Sequence, residues 1–255
     1  QITEELFHLI YLREEILRDE EKIESQEIKI NDEKLIENKG KTYKENNTQI
    51  NKIFPGDSSE LPDDFFRVVV FIDNAYFLRL KKYFFKTGLK FSTANFIKVI
   101  AKKNNLFVEK IFLYDAPPFQ NKQSIFNERR MREIYDKFVF RFREEGIVVR
   151  EGRTQRLKVD GTFRYFQKGV DMLLGIDAVS ILNDFPGLRK IVLLTGDSDF
   201  VPVVEKLNEI GIETVLFTYF NRNRNSSFSK CNELVKSVSE YIKLTKEDFL
   251  EVAYE

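Results

Sequence analysis

Two carboxylates, Asp197 and Asp199, follow directly after a run of apolar residues late in the chain. The run, Ile191–Leu194, is short and continuous, which predicts a strand buried on both faces of a sheet. Open α/β sheets place their chemistry at the carboxyl ends of such strands. Because two carboxylates so close together repel each other, the arrangement suggests a bound divalent cation.

Other acids are predicted to reach the same edge of the sheet. Asp73 ends the apolar run Val68–Ile72, and Asp171 opens a predicted helix just after Lys168 and Gly169. Parallel strands end at one common edge, so Asp73 is expected to approach the two later carboxylates although they are far away in sequence. Asp171 is expected to reach this edge from the start of its helix.

The predicted cluster offers only oxygen ligands. The chain has one histidine and one cysteine, His8 and Cys231, and neither belongs to these motifs. Hard oxygen ligands favour Mg²⁺ or Mn²⁺ over zinc or copper. Such a cation polarises a phosphoryl oxygen and lowers the pKa of an attacking water, which is the chemistry of phosphodiester hydrolysis. Lys168 is expected to offset charge on the phosphate.

Each acid also has a purely structural interpretation. Asp73 and Asp115 follow strand patterns, where a carboxylate readily accepts hydrogen bonds from neighbouring backbone amides. Asp171 suits the positive end of a helix dipole. Asp199 is placed to be the N-cap of a predicted helix over residues 200–210. The sequence alone leaves these alternatives open.

Strand and helix patterns alternate through the second part of the chain, which predicts a three-layer α/β fold with a mostly parallel central sheet. Strand patterns cover residues 68–72, 108–114, 147–150, 190–195 and 213–219. Helix patterns cover about residues 74–85, 93–103, 124–145, 169–183, 200–210 and 229–240. A basic hairpin is predicted over residues 154–166, turning at Asp160 and Gly161.

The first 64 residues differ from the rest in charge and composition. Residues 1–64 hold 9 Lys and Arg against 17 Asp and Glu, a net charge of −8, and residues 65–255 carry +8. Residues 1–39 lack Gly and Pro, and apolar residues recur every seven positions at Ile2, Leu9, Ile16, Ile23 and Ile30. This predicts an acidic helical arm with a thin coiled-coil pattern, which would contact a second copy or a protein partner. Residues 40–64 are predicted to be a linker.

Cations and aromatic residues are interleaved before Asp171. Between residues 122 and 168 there are 13 Lys and Arg against 7 Asp and Glu. The cations nearest the predicted acidic cluster are Arg150, Arg153, Arg156, Lys158, Arg164 and Lys168, and Arg222 with Arg224 forms a second basic edge. With Phe163, Tyr165 and Phe166 among them, this pattern is typical of single-stranded nucleic-acid binding. The alternative is that the aromatic residues belong to a core and the arginines are solvated.

Several motifs resemble one known family. They are Val70–Asn74, Tyr114–Pro117, Gln167–Ala178 and, most specific, Leu194–Val204, which contains Thr-Gly-Asp-Ser-Asp-Phe. In their order and spacing, from about Arg67 to Leu244, the chain resembles the NYN domain, or LabA-like, branch of the PIN-like nucleases.

This resemblance implies a PIN-like α/β/α domain over residues 65–245, followed by a tail over 246–255, and metal-dependent ribonuclease activity. The family's acidic pocket carries over to Asp73, Asp171, Asp197 and Asp199. Asn74 and Thr195 would be supporting groups. Asp177 also matches, but it lies about 240° around the helix from Asp171, so it ranks below the others.

RNA is therefore the expected partner, with single-stranded DNA left open. A different function is a catalytically silent NYN-type module that binds RNA or a protein. A sugar-nucleotide transferase would use Asp197 and Asp199 but leaves Asp73 and Asp171 unexplained. No apolar run approaches the ~20 residues of a membrane span, and a cytoplasmic protein is expected.

Overall fold

The computed structural model describes residues 65–85, 89–159, 161–221, 228 and 232–253. The predicted acidic arm over 1–39, the linker over 40–64 and the basic pair Arg222 and Arg224 lie outside the described residues.

The described strands form one large sheet and one hairpin. They are β1 (Phe66–Asp73), β2 (Leu106–Asp115), β3 (Val148–Glu151), β4 (Arg153–Val159), β5 (Thr162–Lys168), β6 (Lys190–Leu194), β7 (Glu213–Thr218) and β8 (Glu240–Lys243). The large sheet has the order β3-β2-β1-β6-β7-β8, and all its neighbouring strands are parallel. Strands β4 and β5 pair antiparallel as the hairpin. The predicted parallel sheet is confirmed.

Helices cover both faces of the sheet. They are α1 (Asn74–Phe84), α2 (Thr93–Lys103), α3 (Phe126–Glu144), α4 (Val170–Val179), α5 (Ile181–Asp184), α6 (Val201–Glu209), α7 (Asn232–Ser237) and α8 (Lys246–Glu251), with a 3₁₀ turn at Ser198–Phe200. Side chains alternate along β1, so that Val70 and Ile72 join a core with α1, α2 and α8, and Phe71 joins a second core with α4 and α6. The three-layer α/β/α prediction is confirmed.

The end of the chain differs from its predicted structure. The helix predicted over residues 229–240 is shorter within the described residues: α7 ends at Ser237, and β8 then pairs in parallel with β7. Residues 246–255, predicted as a tail, contain α8, and its Phe249 is fully buried against Phe96 with ring centroids 4.4 Å apart. A four-residue strand and a six-residue helix are too short to show a hydrophobic period, so sequence patterns miss them.

No described helix is long and apolar enough to cross a membrane.

Candidate active site at the carboxyl edge of the sheet

Asp73 is a buried carboxylate at the junction of β1 and α1. It caps α1 by accepting a hydrogen bond from the Tyr76 backbone N–H at 3.1 Å, and its other oxygen accepts one from the Thr195 hydroxyl at 3.0 Å. Its residue surface is 8% exposed. Burial raises its pKa from 3.8 to about 6, and the charge of Asp171 adds to this, against the hydrogen bonds and Arg79, which lower it. Asp73 is therefore both a helix cap and an acid near another acid.

Thr195 connects Asp73 to the turn that carries the two later acids. It is buried directly after β6, and its hydroxyl oxygen accepts a weak hydrogen bond from the Asp197 N–H at 3.3 Å. Asp197 in turn accepts a hydrogen bond from the Asp199 N–H at 3.0 Å and so caps the 3₁₀ turn. The Thr195 hydroxyl thus orients one oxygen of Asp73 and contacts the backbone of the turn that carries Asp197 and Asp199.

The alternative role for Asp199 as a helix cap is wrong. The N-cap of α6 is Phe200, which provides no side-chain hydrogen bond, and the capping side chain in this segment belongs to Asp197. A 3₁₀ turn inserted before α6 shifts the cap to an earlier residue, which the sequence pattern does not reveal. Both Asp197 and Asp199 are exposed.

Asp171 reaches the same edge from the first turn of α4. The helix begins after Gly169, whose φ of 80° is a left-handed conformation that favours glycine. The pKa of Asp171 is raised, first by burial and then by the charges of Asp197 and Asp199. Because Asp171 also raises the pKa of Asp73, Asp171 lies within electrostatic range of the other three predicted acids.

The carboxylates supply the oxygen donors that a hard cation prefers, but they are not already arranged as a coordination sphere. Among the described residues, no group of three or more His, Cys, Asp or Glu side chains is gathered closely enough to hold a metal. Yet the donors are all oxygen, and a divalent cation relieves the repulsion that, after burial, raises the pKa of Asp73 and of Asp171. Asp171, Asp197 and Asp199 are exposed at their residue surfaces, so rotation of their side chains can bring them together.

A further buried acid, Asp115, lies beneath this edge at the end of β2. It is 3% exposed and accepts a hydrogen bond from the Asn74 side-chain amide at 2.6 Å. Its other oxygen accepts from the Ala116 N–H at 2.7 Å, and the Gln167 amide lies 3.5 Å from it. Asn74 is therefore directed at a neighbouring strand end and supports the site from below.

From the sequence, Asp115 is a strand-end cap within the motif Tyr114–Pro117, with no predicted role in the site. A usable signal was present, because Asp115 ends the strand that pairs with β1, and Tyr114 is in register with Asp73. Arg79 was also missed; its position on α1 places its charge close enough to lower the pKa of Asp73. It lines a small cavity of about 40 Å³ together with Gly196 and Tyr219.

Asp177 and Arg150 are engaged with each other. Arg150 donates to the Asp177 carboxylate from Nε at 2.7 Å and from Nη2 at 3.0 Å, and the Tyr114 hydroxyl donates to the same carboxylate at 2.9 Å. From the sequence, Asp177 ranks below the four acids of the pocket. In the structure its carboxylate accepts hydrogen bonds from Arg150 and Tyr114. Arg150, predicted to bind nucleic acid, instead joins β3 to α4 through its ion pair.

The hairpin has two faces, defined by its strand register. Arg156 pairs with Tyr165, and both contact Glu128 on α3: the arginine Nη1 lies 2.9 Å from the carboxylate, and the Tyr165 hydroxyl donates at 2.7 Å. The Thr154 hydroxyl donates to the Pro117 carbonyl at 2.7 Å. We call this side the body face. Its members are Thr154, Arg156, Lys158, Phe163, Tyr165 and Gln167.

The opposite side, the open face, carries three cations that have no internal ion pair among those assigned in this structure. Its members are Arg153, Gln155, Leu157, Arg164, Phe166 and Lys168. Arg153 is in register with Lys168, and Leu157 with Arg164. Arg156 was predicted to offer its charge to a ligand, but in the structure Glu128 neutralises that charge. Side chains alternate between the two faces of a strand, so the members of each face can be assigned only once the strand register is known.

A parallel three-layer fold with carboxylates converging at its carboxyl edge defines the chain as a PIN-like, nuclease-type domain. Residues 67–245 match the family described as NYN domain. The match covers more than half of the chain, and the chain belongs to the NYN domain family. Domains of this family are generally ribonuclease-like and usually use divalent metal ions.

One solved structure with a similar fold is a protein of unknown function from Vibrio parahaemolyticus. It is 16% identical, and the alignment covers 74% of this chain and 98% of that chain with a TM-score of 0.49. No curated protein matches the sequence.

Proposed function

We propose that the protein is a metal-dependent endoribonuclease that hydrolyses phosphodiester bonds in single-stranded or structured RNA. Asp73, Asp171, Asp197 and Asp199 are its proposed catalytic acids. The observation that carries the proposal is their mutual electrostatic effect: Asp171 raises the pKa of Asp73, while Asp197 and Asp199 raise that of Asp171. Acids that destabilise one another in this way are favourable ligands for Mg²⁺ or Mn²⁺.

Each residue has a distinct task in this proposal. The four acids would hold the cation, which when bound polarises a phosphoryl oxygen and lowers the pKa of water. Thr195 keeps one Asp73 oxygen oriented, and the Asp199 N–H fixes one oxygen of Asp197. Lys168, which is exposed at the end of the hairpin, and Arg79 offset the charge of the phosphate.

The open face of the hairpin is the proposed surface for the RNA strand. Arg153 and Lys168 lie opposite each other in the residue pair nearest Asp171 along the chain. Arg164 lies two pairs further along the same face. Phe166 lies between these cations on the same face. Cations that contact phosphates around an aromatic ring that stacks on bases suit single strands, of RNA or of DNA, without requiring a particular sequence.

A catalytically silent NYN-type module is the second candidate. It is favoured by the absence, among the residues that the structure describes, of any three acids already gathered for a metal. Such a module would bind RNA or a protein without cutting it.

The deciding experiment incubates the purified chain with labelled RNA and single-stranded DNA in Mg²⁺, Mn²⁺ or EDTA. The test variant is Asp197→Asn with Asp199→Asn, and the matched control is Asp184→Asn. Asp184 is an exposed acid at the end of α5, the far end of the helix pair that begins beside Asp171. We expect wild type and control to cleave RNA only with a divalent ion, and the double variant to be inactive.

Cleavage that survives both EDTA and the double substitution would contradict a metal-dependent site. Binding of RNA without cleavage under every metal condition supports the silent module instead. Faster cleavage of DNA than of RNA would keep the nuclease but change its substrate.

A further inference from the structure

The body face of the hairpin contains a stack of two aromatic rings with a guanidinium between them. The Arg156 guanidinium carbon lies 4.5 Å from the ring centroid of Phe119 and 4.4 Å from that of Phe163. Phe119 belongs to the segment after β2, and the other two residues belong to the two hairpin strands. The stack thus joins the hairpin to the body of the domain.

Glu128 fixes the middle layer of this stack. Arg156 Nη1 lies 2.9 Å from both Glu128 oxygens, and the side-chain exposures of the two residues are 12% and 5%. Tyr165 donates to the same carboxylate, and its partners together lower the pKa of Glu128, so the ion pair is charged at neutral pH. A ring resting on this guanidinium is held in place before any ligand arrives.

Phe163 is the exposed end of the stack. It is 44% exposed, although one side of its ring rests on Arg156. Lys158 lies directly opposite it on β4 and is exposed, and Arg164 follows it in the chain. An exposed aromatic ring, fixed from behind and beside cations, combines the two elements by which proteins bind single-stranded nucleic acid.

We propose that Phe163 is a base-stacking site for a single-stranded nucleic acid, with Lys158 contacting the adjacent phosphate. The proposal rests on the proposed function in taking nucleic acid as the ligand, and it adds a subsite separate from the acidic cluster. The guanidinium attracts electron density towards the inner side of the ring, so the outer side repels the π electrons of a stacked base less. The excess of cations over acids in residues 122–168 favours a polyanion over an uncharged partner.

The distance along the hairpin determines which ligands reach the subsite. Phe163 and Lys168 are five residues apart on β5, which is about 17 Å at the usual rise of a strand. A strand bound at the acids must therefore extend several nucleotides, and pass from the open face around the hairpin to the body face, to reach Phe163. A dinucleotide at the acidic cluster does not contact it.

Phe66 provides a matched control for Phe163. It is 43% exposed, Lys190 Nζ lies 4.2 Å from its ring centroid, and it begins β1, at the opposite end of that strand from Asp73. The experiment compares Phe163→Ala, Phe163→Trp and Phe66→Ala in the full chain. Fluorescence anisotropy measures the Kd of a labelled single strand of about ten nucleotides, a length within the range of known single-strand sites, in EDTA so that the strand stays intact.

We expect Phe163→Ala to raise the Kd by about 5- to 100-fold, the range that the loss of one stacked base produces. Phe163→Trp retains binding because it keeps a flat ring, and Phe66→Ala stays within about twofold of wild type. A strand of the same length with abasic sugars keeps its phosphates but has no bases. Its Kd should be the same for Phe163→Ala and wild type.

Three results would overturn the stacking site. Phe163→Ala could bind like Phe66→Ala, or it could lose affinity for the normal and the abasic strand equally, which indicates damage to the hairpin. If wild type binds no single strand at all, the nucleic-acid ligand of the proposed function fails as well. The cleavage assay tests the acidic cluster separately, so failure of the subsite and failure of the nuclease are distinguishable.

Discussion

Arg150 and Asp177 form a two-point ion pair, with Arg150 Nε 2.7 Å and Nη2 3.0 Å from the Asp177 carboxylate. From sequence, the arginine is predicted to contact nucleic acid and the aspartate to support the acidic cluster. In the structure they contact each other, and the Tyr114 hydroxyl completes the arrangement. Their pairing ties the edge strand β3 to α4, which carries Asp171.

This pairing predicts different effects for the two aspartates of α4. We expect Asp171→Asn to lower the cleavage rate by at least about 100-fold, because it removes a proposed cation ligand. Asp177→Asn should stay within about threefold of wild type, since it changes only the ion pair. Initial rates at saturating Mn²⁺ measure both. If both variants lose the same fraction of the cleavage rate, Asp177 takes part in the reaction and does not act only in the ion pair.

The raised pKa of Asp73 predicts that stability depends on pH. Its pKa is 3.8 when unfolded and about 6 when folded, so the folded state binds the proton more tightly. The resulting stabilisation is complete below pH 3.8 and is lost as the pH rises through about 6. The difference corresponds to about 3 kcal/mol.

Asp73→Asn tests this relation, because asparagine is an equally good helix cap that does not ionise. In EDTA at pH 8 we expect the variant to be more stable than wild type by about 3 kcal/mol, with the difference vanishing near pH 4. Urea denaturation at a series of pH values measures it. If the difference in unfolding free energy between wild type and variant is the same at both pH values, Asp73 is not a buried carboxylate with a raised pKa.

The sequence predicted the sheet and the four acids because these depend on local patterns. A continuous apolar run ending in a carboxylate identifies both a buried strand and its chemical end, as at Asp73. Parallel strands then bring such ends together without further information. For this reason the fold was predicted correctly, whereas the site at the carboxyl edge of the sheet and its catalytic roles stay predictions.

What the sequence did not predict depends on contacts between distant segments. Arg156 was assigned to a ligand because a charge pattern does not reveal Glu128, which lies 28 residues earlier and neutralises it. Asp115 was given no role in the site because its hydrogen bond comes from Asn74, at the start of α1 and 41 residues earlier. The two-residue difference that makes Asp197 the cap rather than Asp199 comes from a 3₁₀ turn with no sequence period.

Asn74 is predicted to stabilise the fold through Asp115. Asn74→Ala removes the amide that donates to a buried carboxylate at 2.6 Å, which should lower the free energy of unfolding by about 1–3 kcal/mol. Asn183→Ala, on the exposed surface of α5, is the control and should cost less than about 0.5 kcal/mol. Equal midpoints in urea for the two variants would mean that the buried hydrogen bond contributes nothing.

Gly196 is predicted to tolerate no side chain. A Cβ at this position lies 2.5 Å from Tyr76 Cε2, and the Tyr76 hydroxyl is fixed by Thr218 and by the Tyr219 backbone. We expect Gly196→Ala to cost about 1–3 kcal/mol of stability by overpacking. Gly175→Ala, whose Cβ meets only a Val203 methyl group at 3.2 Å, should be close to neutral. A thermal melt that ranks the two the other way contradicts the fixed position of Tyr76.

The Arg156–Glu128 ion pair is predicted to anchor the hairpin rather than to bind ligand. Because both side chains are largely buried, removal of either one leaves an uncompensated charge, which should cost about 3–5 kcal/mol.

The double variant Arg156→Met with Glu128→Gln should therefore be less destabilised than the sum of its single variants, by at least about 1 kcal/mol. Urea denaturation of the four proteins gives this coupling energy, and hydrogen exchange in β4 and β5 locates the loss. Arg132→Met with Asp136→Asn, an exposed pair on α3, is the control cycle and should couple by about 0.5 kcal/mol or less. Additive effects at Arg156 and Glu128 would show that the two charges do not depend on each other.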